Sequence, residues 1–313
     1  MFSGNRELEM TFSSRFIGIL LSALCILSQS APASAASSTD QYRLGSEWGK
    51  VKVTDEIMSR ETWAFQRAAL ATARVGGGTG FYLGKFNGLH LVATNYHVCG
   101  SAWECLNQSA RFPLLNLKLK MNKFLGSWSD VDLAILAISV KTAAEEQALE
   151  QIAGNFAFRA ELYPGQELIT ISFGVAGNSS GALMAGQDSD CKVFSGRNEF
   201  RKMNDPDALN PGDYASWSFA NGCDVSHGDS GSAMVDRRTG DVVGIIWTGK
   251  IPKAGRVQDS SYLSDLLAHP DEAIWTELSY AVPAPKIAEK LGEVARATTN
   301  ADLRATLLSL IGE

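Results

Sequence analysis

The sequence predicts an all-β protein of two small antiparallel halves, closed at its C-terminus by helix. Three observations predict it. From about Ala71 onward the chain is a series of short β-type runs, several alternating apolar with polar residues and punctuated by glycine. One helical stretch, Lys141 to Ile152, carries alanines and glutamates at helical spacing, is followed by Gly154, and divides these runs into two sets. After Pro283 and Pro285 the pattern changes to apolar residues at helical spacing.

In chain order, residues 1–36 read as an export signal. Arg15 precedes the apolar stretch Phe16 to Leu27, and Ala33-Ser34-Ala35 is a small-residue cleavage site. An apolar run of about a dozen residues is short of the ~20 that a spanning helix needs, so a secreted or periplasmic chain with no membrane partner is expected. Residues 37–70 carry no clear pattern and are a candidate propeptide or an N-terminal approach. The first half, residues 71–145, has strand candidates at Thr79 to Leu83, Leu89 to Thr94, Phe112 to Lys120 and Leu133 to Val140. Its successor, residues 146–283, has them at Glu167 to Phe173, Leu183 to Ala185, Ser216 to Phe219, Ser232 to Val235, Val242 to Trp247 and Leu278 to Val282. Asn198 to Asp213 is polar, holds two prolines and reads as a surface loop. The cap, residues 284–313, has helical spacing over Lys286 to Ala295 and Asp302 to Ile311. Several short strands in succession imply antiparallel barrels or sandwiches.

Composition narrows the function. With 45% hydrophobic and 20% charged residues the chain has an ordinary globular make-up, and its net charge of -6 offers no basic footprint for nucleic acid. Cys25 leaves with the signal, and Cys99, Cys105, Cys191 and Cys223 remain. An even set in an exported chain suggests two disulfides, with three connectivities open. Pairing Cys99 with Cys105 and Cys191 with Cys223 is favoured, because the first closes a short loop beside a candidate site residue. Zinc is disfavoured, since there is no Cys-x-x-Cys pair and the histidines do not sit at ligand spacing.

Three segments carry chemistry. Gly228-Asp229-Ser230-Gly231-Ser232 lies between a polar loop and the apolar strand from Ala233. A serine hydroxyl needs a base and nearby amide donors to act as a nucleophile, and flanking glycines let the amides of Gly228 and Ser230 converge. Leu91 to Cys99 is an apolar strand ending in a turn that bears His97, a group that titrates near neutrality and serves as base and then acid. In Asp130-Val131-Asp132-Leu133, an aspartate abuts an apolar strand, placed to orient the histidine. Asp130 competes for that role, but Asp132 directly adjoins the buried run. The order is His, Asp, Ser, with separations of 35 and 98 residues. An esterase of the α/β-hydrolase type would run Ser, Asp, His, drawing on Asp241 or Asp259 and His269, and would need Gly-x-Ser-x-Gly before a helix. Here Ser232 follows Gly231 and strand follows that.

On these residues the sequence resembles the trypsin-like serine peptidases of the chymotrypsin fold, and among them the bacterial branch that includes the glutamyl endopeptidases, over Ala73 to Leu291. Gly78-Thr79-Gly80-Phe81 resembles the strand entering the His-bearing hairpin, Tyr280-Ala281-Val282-Pro283 the closing strand, and Gly244 to Gly249 the strand lining the primary specificity pocket. The resemblance implies two six-stranded antiparallel β-barrels with a C-terminal helix, and a serine endopeptidase acting on proteins or peptides. His97 would be the general base, Asp132 its orienter, Ser230 the nucleophile, and the amides of Gly228 and Ser230 the oxyanion hole. Neither metal nor organic cofactor is implied. Asp224, six residues before Ser230, stands where trypsins hold the carboxylate that selects Arg or Lys. His227 is expected at the pocket rim, with Trp247 and Gly249 on the pocket strand, whose backbone would pair with an extended substrate. Ile246 stands where the glutamyl endopeptidases carry a histidine, which argues against an acidic preference. Asp259 to Ile274 is expected as an insertion beside this strand. Arg74-Val75-Gly76-Gly77 mimics a zymogen cleavage site but directly precedes a strand, so it is expected to be a turn. Asp229, which in trypsins pairs with the new N-terminus, then needs another partner that the sequence does not name. A catalytically silent, peptidase-like binding protein is the alternative.

Overall fold

The computed structural model describes residues 39–206 and 215–313, so the expected signal, Cys25 and part of the 198–213 loop lie outside the described residues. Residues 39–71, patternless in sequence, contribute a short strand β1 (Lys50–Lys52) and helices α1 (Asp55–Arg60) and α2 (Trp63–Ala71). Thr54 and Thr62 start the helices, each hydroxyl accepting the amide three residues on. α2 buries Ala64, Phe65, Ala68, Ala69 and Ala71, with Trp63 left outside.

The next six strands are β2 (Thr72–Val75), β3 (Gly78–Phe86), β4 (Leu89–Thr94), β5 (Ser109–Phe112), β6 (Leu117–Trp128) and β7 (Leu133–Ile138). They close into an antiparallel barrel in the order β2-β3-β4-β7-β6-β5. Arg74 to Gly77 is the tight end of the β2–β3 hairpin, with Val75 opposite Gly78. The expected strand Phe112 to Lys120 is in fact two. Pro113 follows the end of β5, and Asn116 adopts a left-handed φ of 51° before β6 begins. A short helix, α3 (Ala102–Leu106), sits between β4 and β5, and α4 (Ala143–Glu150), with Thr142 and Glu145 forming a capping box, leads out of the barrel.

The second half contains β8 (Leu168–Ser172), β9 (Met184–Gly186), β10 (Arg201–Asn204), β11 (Ala215–Asn221), β12 (Ala233–Asp236), β13 (Val242–Gly249) and β14 (Ser279–Pro283). With β1 they form one antiparallel sheet in the order β1-β9-β8-β12-β13-β14-β11-β10. The inner strands bend into a ring, because Lys192 bridges to Glu167 beside β8 while its neighbour Val193 bridges to Asn221 of β11. β12 shows how the ring is filled. Met234 points into an interior with Leu168, Val193, Phe219, Val243 and Ala281, while Ala233 and Val235 face the large core shared with the first barrel. Such period-two alternation leaves both faces of the strand buried. The fold is thus chymotrypsin-like, with β1 and β10 added at the sheet's edges. β10 falls inside the stretch expected to be loop, where Arg201 to Asn204 pair with Ser218 to Ala215.

α5 (Ser260–Ala268) occupies the expected insertion after β13. Finally α6 (Ala284–Ala297) and α7 (Ala301–Leu310) close the chain. No helix among the described residues is long and apolar enough to cross a membrane. Cys99 is bonded to Cys105 and Cys191 to Cys223.

Candidate active site

β4 and β7 are hydrogen-bonded neighbours, with Thr94 opposite Ala134. The turn after β4 therefore lies against the turn before β7. His97 and Asp132 meet there. His97 Nδ1 and Asp132 Oδ2 are 2.8 Å apart, and the His97 backbone amide donates to Asp132 Oδ1 at 3.0 Å. Asp132 is fully buried and holds the left-handed backbone of φ 35°, a conformation that aspartate tolerates better than most residues. Asn95, also buried, donates its Nδ2 to the Asp132 carbonyl at 2.8 Å. Asp130 points elsewhere: it pairs with Lys290 Nζ of α6 at 2.6 Å. Burial of His97 works against its charged form, but the hydrogen bond and charge of Asp132, helped by the charge of Asp205, outweigh that and raise its pKa above the ordinary value. Asp205 is itself held by the Thr248 hydroxyl at 2.7 Å.

The Ser230 turn docks on the first barrel through Thr79 of β3. Thr79 donates its amide to the Ser230 carbonyl at 2.8 Å and its hydroxyl to the Gly228 carbonyl at 2.7 Å. Two glycines make the turn feasible. Gly228 and Gly231 have φ of 90° and 89°, and a Cβ on Gly231 would lie 2.0 Å from the Thr79 carbonyl oxygen. Within the turn the Asp229 amide donates to Ser226 O and the Ser232 amide to Asp229 O, while Gly231 donates to Ile246 O. Among the described residues the amides of Gly228 and Ser230 donate to no protein acceptor. Backbone amides without a protein acceptor are the kind of donor that an oxyanion hole requires. Ser230 Oγ donates to the Trp247 carbonyl at 3.5 Å.

The pocket residues divide differently from expectation. His227 is exposed beside the turn, and its carbonyl accepts the Val175 amide. Trp247 presents its backbone to Ser230, whereas its indole is in the core and donates to Ser218 Oγ at 2.9 Å. Gly249 pairs with Ser279 of β14, and Lys253 Nζ, which donates to Ser279 Oγ at 3.1 Å, lies 3.2 Å from where a Gly249 Cβ would be. Asp224 is not presented as a pocket base. It is 1% exposed, and its two oxygens accept the amides of Leu44 at 2.6 Å and Gly49 at 2.8 Å, so the N-terminal segment takes both acceptors that a basic side chain would need. Burial, opposed by those two amides, pushes its carboxyl up to about 7. No group of three or more His, Cys, Asp or Glu side chains placed to hold a metal occurs among the described residues.

Sequence reasoning missed Thr79 as a hub, Asn95 and Asp205 as supports of the His97–Asp132 pair, and Lys50 and Ser172, which reach Asp229 from outside the turn. Only Thr79 had a local signal, its place between two glycines at the head of β3.

A barrel that pairs a histidine with a buried aspartate, docked on a ring that carries a serine between two unused amides, defines a class of peptidase. The family model of the trypsin-like peptidase domain matches residues 78–245, over half of the chain, including His97, Asp132 and Ser230. The chain belongs to that family. None of the curated proteins matches it. Among solved structures it is similar to an inactive form of Rv3671c from M. tuberculosis H37Rv, at 18% identity and a TM-score of 0.48 over 80% of this chain and 98% of that one. It is also similar to the active form of the Rv3671c protease from M. tuberculosis, at 16% identity and a TM-score of 0.48 over 82% of this chain and 93% of that one.

Proposed function

We propose that the protein is an exported serine endopeptidase that cleaves peptide bonds through an acyl-enzyme on Ser230. The observation that carries this reading is the Asp132 clamp on His97, made through both the ring and the backbone amide. With Nδ1 held by the carboxylate, Nε2 is the basic nitrogen. In the reaction the Ser230 hydroxyl turns from the Trp247 carbonyl to Nε2, gives up its proton there and attacks the scissile carbonyl carbon. The tetrahedral oxyanion is taken by the amides of Gly228 and Ser230, which have no competing acceptor to leave. Imidazolium then protonates the departing amine, Asp132 stabilising the positive ring. Water, deprotonated by His97, releases the acyl group and restores the hydroxyl. All proton transfers use protein groups and water.

Substrate proteins or peptides enter extended, pairing with the pocket strand β13. A basic preference is not part of this reading, because Asp224 is engaged by Leu44 and Gly49. Nor does anything in the pocket favour the glutamyl endopeptidases over other branches. Export is supported by the apolar N-terminal run with its small-residue cleavage site and by two disulfides, which persist in oxidising compartments. Mass spectrometry of the exported chain should find an N-terminus near Ala36.

A serine-directed fluorophosphonate tests the chemistry. It should label the native protein on Ser230 and leave Ser230→Ala unlabelled. A native protein that resists the reagent and cleaves no peptide library would be the silent binding protein instead.

A further inference from the structure

Between the two unused amides lies Asp229, whose carboxylate is engaged by groups from other segments. It is completely buried. Oδ2 accepts the Ser226 amide at 2.6 Å and pairs with Lys50 Nζ, and Oδ1 accepts the Ser172 hydroxyl. Lys50 is as buried as its partner, with 1% of its side chain exposed against 0%. A buried charge without a partner is strongly destabilising, so each of these ions fixes where the other points.

Lys50 does not belong to the turn or to either barrel. It is the first residue of β1, which lies on β9 with Lys50 opposite Gly186. The chain before it is strapped across the second half. Asp224 takes the amides of Leu44 and Gly49, Gly45 donates to the Val257 carbonyl at 2.9 Å, and Lys253 donates its amide to the Gln41 carbonyl at 2.8 Å. The strap thus carries Lys50 to the carboxylate of Asp229, the residue that precedes Ser230.

We propose that Lys50 is a positioning residue for the oxyanion turn, holding Asp229 inward so that the amides of Gly228 and Ser230 face outward in the uncut chain. The glycines at the turn's joints, Gly228 and Gly231, are free to adopt other backbone angles, so the direction of the amides depends on the contacts that hold the turn, the buried ion pair among them. The strap thereby does the work that a new N-terminus would do after cleavage. This inference rests on the serine peptidase reading above.

The test compares wild type with Lys50→Met and with the uncharged pair Lys50→Met/Asp229→Asn, using fluorophosphonate labelling, steady-state kinetics on a peptide substrate, circular dichroism and intact mass. Wild type should label as a single uncut chain. A wild type that neither labels nor cleaves refutes the peptidase reading, and the role of Lys50 falls with it. With active wild type, Lys50→Met should lose about 10²- to 10³-fold in kcat, the scale of losing an oxyanion donor, with KM changed less than about threefold. The double variant has no charge to bury, so it should fold with near wild-type thermal stability and still be at least about tenfold down in kcat. A folded double variant with wild-type kcat makes the pair merely structural and overturns the proposal. So does failure of both variants to fold.

Discussion

Strands β4 and β7 lie side by side in the first barrel, so His97, just past the end of one, and Asp132, just before the start of the other, are brought together by a single ladder. The second half holds Ser230 in another way. Its turn is fastened by Thr79 from the first barrel, by Ile246 from β13, and, behind Asp229, by Ser172 of β8 and Lys50 of β1. The contact of His97 with Asp132 is thus the product of one strand pairing. The Ser230 turn is held by four distant segments, two of them outside its own barrel. A locally assembled pair tolerates change elsewhere in the molecule, whereas a turn assembled at long range is exposed to all of it.

The comparison breaks hardest where the two regions meet in one reaction. His97→Ala and Ser230→Ala should each lower kcat by about 10⁶, with the double variant no worse than either, since the two act as a unit. Thermal melts of all three should stay close to wild type.

Within the first barrel, Asp132→Asn should cost on the order of 10⁴ in turnover by disturbing the tautomer of His97. Asp130→Asn should leave kcat within a factor of about three and remove a half-exposed pair with Lys290 worth at most ~1 kcal/mol. The pH profile of kcat/KM separates the same two residues. His97 must be neutral to act as base, and Asp132 holds its pKa above the ordinary 6.5, so activity is lost as pH falls through that raised value. The acid limb should move down in Asp132→Asn and stay put in Asp130→Asn.

For the long-range turn, Thr79→Val keeps the side chain's shape but leaves the Gly228 carbonyl and the Phe173 amide without their hydroxyl partner. Stability measured in denaturant should fall by about 1–3 kcal/mol, and kcat by about tenfold, less than the 10²–10³ of removing an oxyanion donor outright.

The strap should show itself in stability rather than in turnover. Asp224, pushed up to about 7 by burial, holds its proton more tightly in the folded chain than in the unfolded one, where 3.8 is the ordinary value. Its contribution is fully present below about pH 4 and is lost as pH rises through 7, on the order of 4 kcal/mol at most by linkage. Asp224→Asn should flatten that part of the stability profile between pH 4 and 7. An unchanged slope would mean that the carboxylate is already ionised in the folded protein across this range.

Legibility follows the same division. Strands read well where apolar residues are contiguous, as in Leu89 to Thr94, which is β4, and Leu133 to Val140, which contains β7. They read poorly where turn chemistry interrupts an apolar run, as at Pro113 to Asn116, or where the strand is polar, as in β10, whose residues are half exposed or exposed. The polar, patternless stretch before residue 55 hid β1 because three residues have no period to detect.

By itself the sequence determined the all-β character of the two halves, the terminal helices and the segments bearing His97, Asp132 and Ser230. All of these depend on neighbours within a few residues: apolar alternation, glycines that permit a left-handed turn, an aspartate abutting a strand. Only the tertiary structure paired Asp130 with Lys290, engaged Asp224 with the N-terminal strap instead of leaving it a pocket carboxylate, and gave Asp229 its cation in Lys50. Each of these is a contact between groups far apart in the chain. A charge finds its partner by where the folded backbone carries it, and residue type and spacing along the sequence do not contain that information.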